Sequence, residues 1–232
     1  MLEISDVSAG YDSKAVAFGV SVDVREGEVV SIIGSNGAGK TTLLRAVCGL
    51  LPVLGGDVKY EGASIANMAV HEIAREGISF VPAERHLFPE MSVAENLALG
   101  AFPSRIDADQ LTMVLELFPR LAERRRQTAG TMSGGEQQML AVGRTLMSRP
   151  RLLILDEPTT GLAPGLAAKA YDSLTALRDH GLTILVAEQQ VPLVLGLADR
   201  AYVLENGAIQ LEGPAGELRD NPTVQRAYLG VA

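Results

Sequence analysis

The sequence predicts an α/β fold with a parallel-sheet core, an antiparallel β part near the N-terminal end and an inserted helical segment. Three observations predict it. Short apolar runs of strand length alternate with helical stretches, which implies parallel strands joined by right-handed crossovers. Near the start, Glu3–Val7 and Val20–Val24 alternate apolar and polar residues, as strands of a half-exposed antiparallel sheet do. Residues from about Glu90 to Arg149 carry helix caps and apolar positions at helical spacing instead.

Taken in order, Val29–Ile33 is a buried-strand run ending at Gly34, and a helix from Lys40 through Cys48 stops at Gly49. Ser92-Val93-Ala94-Glu95 is a capping box that opens a helix over about Val93–Ala101. Gln110–Glu123 reads as one helix on the spacing of Leu111, Val114, Leu115 and Phe118. Ser133 opens another, running to about Met147. Leu152–Leu155 and Thr183–Ala187 are further strand-length apolar runs. Between them lies a helix from about Leu166 to His180, with Gly181 beyond its end. The whole reads as one domain over 1–232, with 1–89 and 150–232 forming the α/β and antiparallel parts and 90–149 the helical subdomain.

Of the 232 residues 47% are hydrophobic and only 4% aromatic, so the core is expected to be built from Val, Leu, Ile and Ala, as buried parallel strands are. Twenty basic against 28 acidic residues give a net charge of −8, which disfavours nucleic acid and anionic lipid as direct partners. No apolar stretch approaches the ~18 residues needed to span a bilayer. The start lacks the basic and apolar regions of a signal peptide, and a lone Cys48 suits a reducing compartment. The expected location is cytoplasmic, with any work at a membrane requiring another protein to hold the chain there.

Gly34-Ser35-Asn36-Gly37-Ala38-Gly39-Lys40-Thr41, followed by Thr42, fits the P-loop pattern between a strand and a helix start. Consecutive backbone N–H groups there converge on one anion. Lys40 supplies a point charge for the β- and γ-phosphates, and Thr41 a hydroxyl for Mg2+. Side chains at Gly34, Gly37 or Gly39 would obstruct the approach. Leu152–Leu155 ends in Asp156 and Glu157, at the strand end where ligands sit in such sheets. Asp156 is placed to hold Mg2+ through a water, and Glu157 to orient or deprotonate an attacking water. Ser133-Gly134-Gly135-Glu136, taken alone, is a helix cap. Yet each glycine costs roughly 0.8–1 kcal/mol in a helix relative to Ala. Two in a first turn point to a phosphate approaching bare backbone.

In this order, Gly34–Thr41, Met132–Gln138 and Leu152–Glu157 resemble the Walker A, signature and Walker B motifs of ABC-type ATPases. The resemblance covers essentially the whole chain and implies a RecA-like P-loop NTPase core. It also implies ATP and Mg2+ as cofactors, and a dimer in which each signature loop closes over nucleotide held by the other subunit. The dimer is a homodimer or a heterodimer with a similar ATPase, held by transmembrane permease subunits at the cytoplasmic face of the membrane and not itself inserted. Tyr11 lies where the family places an aromatic that stacks on adenine; otherwise it is a tyrosine after a strand, in the core or on the surface. Asp156–Pro164, Val186–Gln190, Ala198–Gly207 and Ala227–Gly230 are similar to the LivF-like subgroup, which serves branched-chain amino-acid uptake and has relatives for amides and urea.

Three positions depart from the general pattern. Ala83 stands where the family has Gln or Glu, and cannot ligate Mg2+ or water; the adjacent Glu84 is the candidate substitute. Ala163 replaces a common Asp, which weakens the contact expected across the dimer. Gln189 occupies the switch-histidine position, where it can hydrogen-bond a γ-phosphate but carries no charge. Two other readings stay open on these residues: a regulatory nucleotide-binding module with little hydrolysis, and a P-loop small-molecule kinase. His71, His86 and His180 show no metal-ligand spacing, Arg124-Arg125-Arg126 reads as a solvated helix end, and Arg85–Pro89 lies where the family touches its membrane subunits.

Overall fold

The structure, a computed structural model, describes residues 1–12 and 14–229, so Gly230 of the C-terminal resemblance lies outside the described residues. The N-terminal strands β1 (Leu2–Tyr11) and β2 (Lys14–Val24) pair antiparallel, with Leu2 opposite Val24 and Tyr11 opposite Lys14. Their core-facing Leu2, Ile4, Val7, Val20, Val22 and Val24 are buried and the residues between them are mostly exposed, which is the period-two pattern the sequence showed. β3 (Val29–Ile33) then leads into α1 (Lys40–Val47). β4 (Val53–Tyr60) and β5 (Ala63–Ser64) complete the first sheet in the order β2-β1-β4-β5.

After α2 (Val70–Arg75) comes β6 (Ile78–Val81), followed by a run of helices: α3 (Val93–Gly100), α4 (Ala108–Leu117), α5 (Pro119–Glu123) and α6 (Gly134–Leu146). The single helix expected over Gln110–Glu123 is therefore two. Phe118 takes φ −126°, ψ 72°, because the residue before a proline is pushed out of the α region, and Pro119 restarts the helix at its first position. The chain returns through β7 (Leu152–Asp156), α7 (Pro164–Asp179), β8 (Thr183–Glu188), α8 (Val191–Leu197), β9 (Arg200–Glu205) and β10 (Ala208–Pro214). It finishes with α9 (Ala215–Asp220), α10 (Pro222–Val224) and a last helical turn, Gln225–Leu229.

Among the described residues the second sheet has the order β10-β9-β3-β8-β7-β6, parallel except for its β10 edge. Alternate residues of β3 feed two cores. Val30 and Ile32 pack with α1 and the antiparallel sheet. Val29 and Ile33 pack on the other face with the helices that follow β6 and β7. A bidentate ion pair joins the two sheets: Arg200 donates from Nη1 to Asp23 Oδ2 (2.9 Å) and from Nη2 to Asp23 Oδ1 (3.0 Å), and the Tyr202 hydroxyl also donates to Oδ1. Among the described residues no helix is long and apolar enough to cross a membrane.

The parallel registers carry the functional consequence. Ile33 lies opposite Glu188, Asp156 opposite Ala187 and Val81 opposite Leu155. The ends of β3, β6, β7 and β8 therefore open on one side of the sheet, where the loops carrying the candidate residues emerge.

Candidate functional site

The phosphate loop is shaped by backbone more than by side chains. Ala38 N donates to Ser35 O (3.2 Å), and Gly207 N, from the β9–β10 turn, braces the loop by donating to Ala38 O (3.0 Å). Gly39 caps α1 at φ 107°, a conformation that an L side chain rarely adopts. Gly34 has a different reason from the expected one, since a Cβ there would run into the Leu204 carbonyl oxygen. A small cavity of about 140 Å3 sits in this bend, lined by Gly37, Ala38, Gly39, Lys40, Thr41 and Thr42 together with Val16 and Glu157.

Lys40 is 3% exposed and fully engaged. Its Nζ donates to Gly34 O (2.9 Å) and Ser35 O (3.1 Å) and lies 3.1 Å from Glu157 Oε1. Glu157 follows β7 at φ 45°, left-handed for a non-glycine residue, a conformation that costs on the order of 1–3 kcal/mol and needs support from its surroundings. That support includes its own N–H donating to Ala187 O (2.9 Å) and the Thr160 hydroxyl donating to its Oε2 (2.9 Å).

The Thr41 hydroxyl donates to Asp156 Oδ1 (3.1 Å), while Asp156 Oδ2 is buried without a hydrogen-bond partner. Burial, with a smaller push from the neighbouring Glu157 charge, raises the Asp156 carboxyl to about 6 against the hydrogen bond from Thr41. A hydroxyl and an unsatisfied carboxylate oxygen are hard donors of the kind Mg2+ takes, with phosphates and water completing its shell. Among the described residues no cluster of three or more His, Cys, Asp or Glu forms a self-sufficient metal site.

The structure thus brings Lys40, Thr41, Asp156 and Glu157 together on the phosphate loop with Gly34, Ser35, Gly37, Ala38, Gly39 and Thr42, and places Tyr11, Gln189 and the signature residues outside that cavity. Tyr11 is 44% exposed at the end of β1 and does not line the cavity. Val16 of β2 does line it; a valine in an alternating strand carries no signal of that role. Gln189 is exposed, and its backbone N–H donates to Glu188 Oε2 (2.7 Å). Glu84 is held by Arg45, whose Nη2 lies 3.0 Å from Glu84 Oε1, beside half-buried Ala83. Ala163 provides the N-cap backbone of α7.

Ser133 and Glu136 form the expected capping box. Glu136 Oε2 accepts from Ser133 N (3.0 Å) and Oγ (2.9 Å), and Glu136 N donates to Ser133 Oγ (3.4 Å). Burial opposes it, but these bonds and the nearby Arg124 charge hold the Glu136 carboxyl below its ordinary value. Arg124 caps the C-terminal end of α5 and Arg125 and Arg126 are exposed beyond it, the solvated helix end expected, and Arg124 Nε also lies 3.2 Å from Glu136 Oε1, where it braces the cap. The two glycines also differ. Gly134 is half-exposed, whereas Gly135 is buried, and a Cβ on it would lie 2.9 Å from a Leu166 methyl of α7. Gly135 therefore has a packing reason for lacking a side chain, and a Cβ on Gly134 would meet only the Arg85 guanidinium, at 3.4 Å. Arg85 ties the β6 loop to this helix, donating from Nε to Gln138 Oε1 (3.1 Å) and from Nη1 to Gln137 Oε1 (3.4 Å).

Comparison with known proteins places this geometry. Residues 18–160 match the ABC transporter family model. The chain is 48% identical, over 99% of its length and 100% of the relative's, to the high-affinity branched-chain amino acid transport ATP-binding protein BraG of Pseudomonas aeruginosa. It is 35% identical to the probable branched-chain amino acid transport ATP-binding protein LivF of Archaeoglobus fulgidus, over 100% and 99% of the two chains. It is 34% identical to BraF of Pseudomonas aeruginosa, which carries the same description as BraG, over 100% and 98%. Among solved structures, the ADP conformation of an ATP-binding cassette of an ABC transporter superposes with a TM-score of 0.85 at 30% identity, covering 100% of this chain and 99% of that one. The phosphate loop, acidic strand end and capped signature helix lie on a fold shared with these cassettes, and the chain belongs to the ABC transporter family.

Proposed function

We propose that this chain is the ATP-binding and ATP-hydrolysing subunit of an importer, and that it energises uptake of branched-chain or related amino acids across the cytoplasmic membrane. The observation that carries the reading is the assembled Lys40–Thr41–Asp156–Glu157 cluster in a chain alike from end to end with BraG. The loop N–H groups and Lys40 bind the phosphates of ATP. Thr41 and Asp156 hold Mg2+, which neutralises charge on the phosphate oxygens when bound. Glu157 orients the attacking water and accepts its proton. Gln189, from the end of β8, offers an amide to the γ-phosphate, and Tyr11 a ring to the adenine.

Ser133, Gly134, Gly135 and Glu136 cap nucleotide held by a second cassette. BraG and BraF are two similar ATP-binding proteins of one bacterium with the same described role, which supports pairing with a related ATPase over self-pairing. A groove of about 810 Å3 between the β6 loop, α2 and α3, lined by Leu50, Val70, Phe80, Phe88, Leu99 and Phe102, supports docking of a permease segment. That docking holds the protein peripherally at the cytoplasmic face of the membrane. Co-expression with its membrane subunits, followed by ATPase assays over a panel of amino acids, amides and urea, tests the reading. Stimulation by leucine, isoleucine or valine is the expected result. Stimulation by amides alone would move the cargo, and no hydrolysis with any partner would favour a regulatory module.

A further inference from the structure

β8 ends in a buried carboxylate that the catalytic cluster does not use. Glu188 is 1% exposed and Thr159, in the turn after Glu157, is fully buried. The two carboxylate oxygens serve different segments. Oε1 accepts from the Thr159 hydroxyl in a close contact and from Thr159 N (3.3 Å). Oε2 accepts from Gln189 N (2.7 Å) and Gln190 N (3.1 Å). All four donors are neutral, so the buried charge is balanced by filling its lone-pair sites. The Tyr171 phenol of α7, buried without a hydrogen-bond partner, is pushed above its usual range by burial and then by the Glu188 charge.

We propose that Glu188 is a positioning residue for hydrolysis, clamping the turn after Glu157 to the loop that presents Gln189. The first segment is already tied to β8 once, through Glu157 N and Ala187 O (2.9 Å). Glu188 adds the second tie and extends it to Gln189, so the groups on either side of the γ-phosphate share one anchor. A glutamine cannot replace it. An amide has one accepting oxygen, and its NH2 must face either the Thr159 donors or the Gln189 and Gln190 donors. Facing Gln189 and Gln190, the NH2 loses both bonds there; facing Thr159, it loses the bond from Thr159 N and the hydroxyl must turn to accept. A displacement of about 1 Å near the chemistry costs up to roughly 100-fold in rate.

This inference rests on the hydrolysis reading, and the test separates the two. With its membrane partners, Glu188→Gln is expected to lower kcat roughly 10- to 100-fold, with KM and affinity for a fluorescent ATP analogue changed less than about 3-fold and the melting temperature nearly unchanged. In a Gln189→Ala background the same substitution adds less than about 2-fold, because its effect acts through that loop. Thr159→Val, which deletes only the hydroxyl donor, lowers kcat in the same direction by a smaller factor and serves if Glu188→Gln does not fold. Unchanged kcat, a parallel fall in kcat, affinity and melting temperature, or full multiplication with Gln189→Ala overturns the clamp. Amide hydrogen exchange supplies an arm independent of turnover. Glu188→Gln is expected to speed exchange on the segment its NH2 faces, either at Thr159 or at Gln189 and Gln190, and unchanged exchange at all three overturns the proposal. A native protein that hydrolyses nothing, but whose Glu188→Gln form shows the faster exchange, would sink the hydrolysis reading and leave the clamp standing.

Discussion

Asp156 and Glu157 are neighbours in sequence with opposite surroundings. Asp156 is 1% exposed with one oxygen unpartnered, while Glu157 sits 3.1 Å from the Lys40 ammonium. Replacing Glu157 with Gln is expected to lower ATP turnover by about 10²–10⁴-fold, the usual worth of a positioned base, with ATP binding retained. Single-turnover kinetics beside equilibrium binding check it, and native-like turnover would remove the role assigned here. For Asp156, the carboxyl lies at about 6 in the folded chain and 3.8 when exposed. A carboxyl raised by folding contributes stability that is present below pH 4 and lost as pH climbs through about 6. In metal-free buffer, Asp156→Asn is therefore expected to become progressively more stable than the native chain from pH 4 to 7, by on the order of 2–3 kcal/mol at the upper end. Denaturant titrations across that range measure it; a pH-independent difference contradicts the assignment. Buried Cys48, whose thiol burial pushes far up, is expected to resist thiol reagents until the chain unfolds.

At the scale of elements, Gly134 and Gly135 make a paired test. Alanine at either gains up to roughly 1 kcal/mol of helix propensity, but at Gly135 its Cβ meets Leu166 at 2.9 Å and that side chain's own Cβ at 3.2 Å. Overpacking of this kind costs about 1–3 kcal/mol. Gly135→Ala is thus expected to lower unfolding free energy, and Gly134→Ala to leave it level or higher, as read from denaturant midpoints. Short buried strands and capped helices were readable because their signals are local: Val29–Ile33 is bounded by Gly34, and Ser92 and Ser133 reach only three residues ahead. The break at Phe118 was also local, written in Pro119, but the regular spacing of Leu111, Val114, Leu115 and Phe118 outweighed it. Arg124 with Glu136, Gly135 against Leu166, and Val16 over the phosphate loop join residues distant in sequence. No periodicity announces such pairings.

At the scale of the whole molecule, the parallel registers gather the nucleotide residues on one side of the sheet, while the apolar groove lies between α2, α3 and the β6 loop. Arg144 connects these regions. It donates to His86 O (2.9 Å) and Arg85 O (3.3 Å), stands over the Phe88 ring, and belongs to the signature helix. Phe102 is 79% exposed at the groove, so Phe102→Ser is expected to shift stability by less than about 0.5 kcal/mol and yet weaken co-purification with the permease. Undiminished co-purification would mean that the membrane subunits dock elsewhere.

On the proposed function, the contact between Lys40 and Glu157 makes loading and arming one exchange reaction. The ammonium that must receive the terminal phosphate is the same one that neutralises the base. An arriving γ-phosphate competes for that cation, and each ion pair gained on the nucleotide loosens the one on Glu157. The carboxylate then becomes free to take a proton only when the bond to be broken is present. A nucleotide ending at the β-phosphate has less with which to win the contest. Carboxyl NMR of labelled Glu157 reports the switch directly: its carboxyl resonance is expected to move with a non-hydrolysable ATP analogue and to stay close to the unliganded position with ADP, whereas identical spectra would mean that Lys40 never lets go.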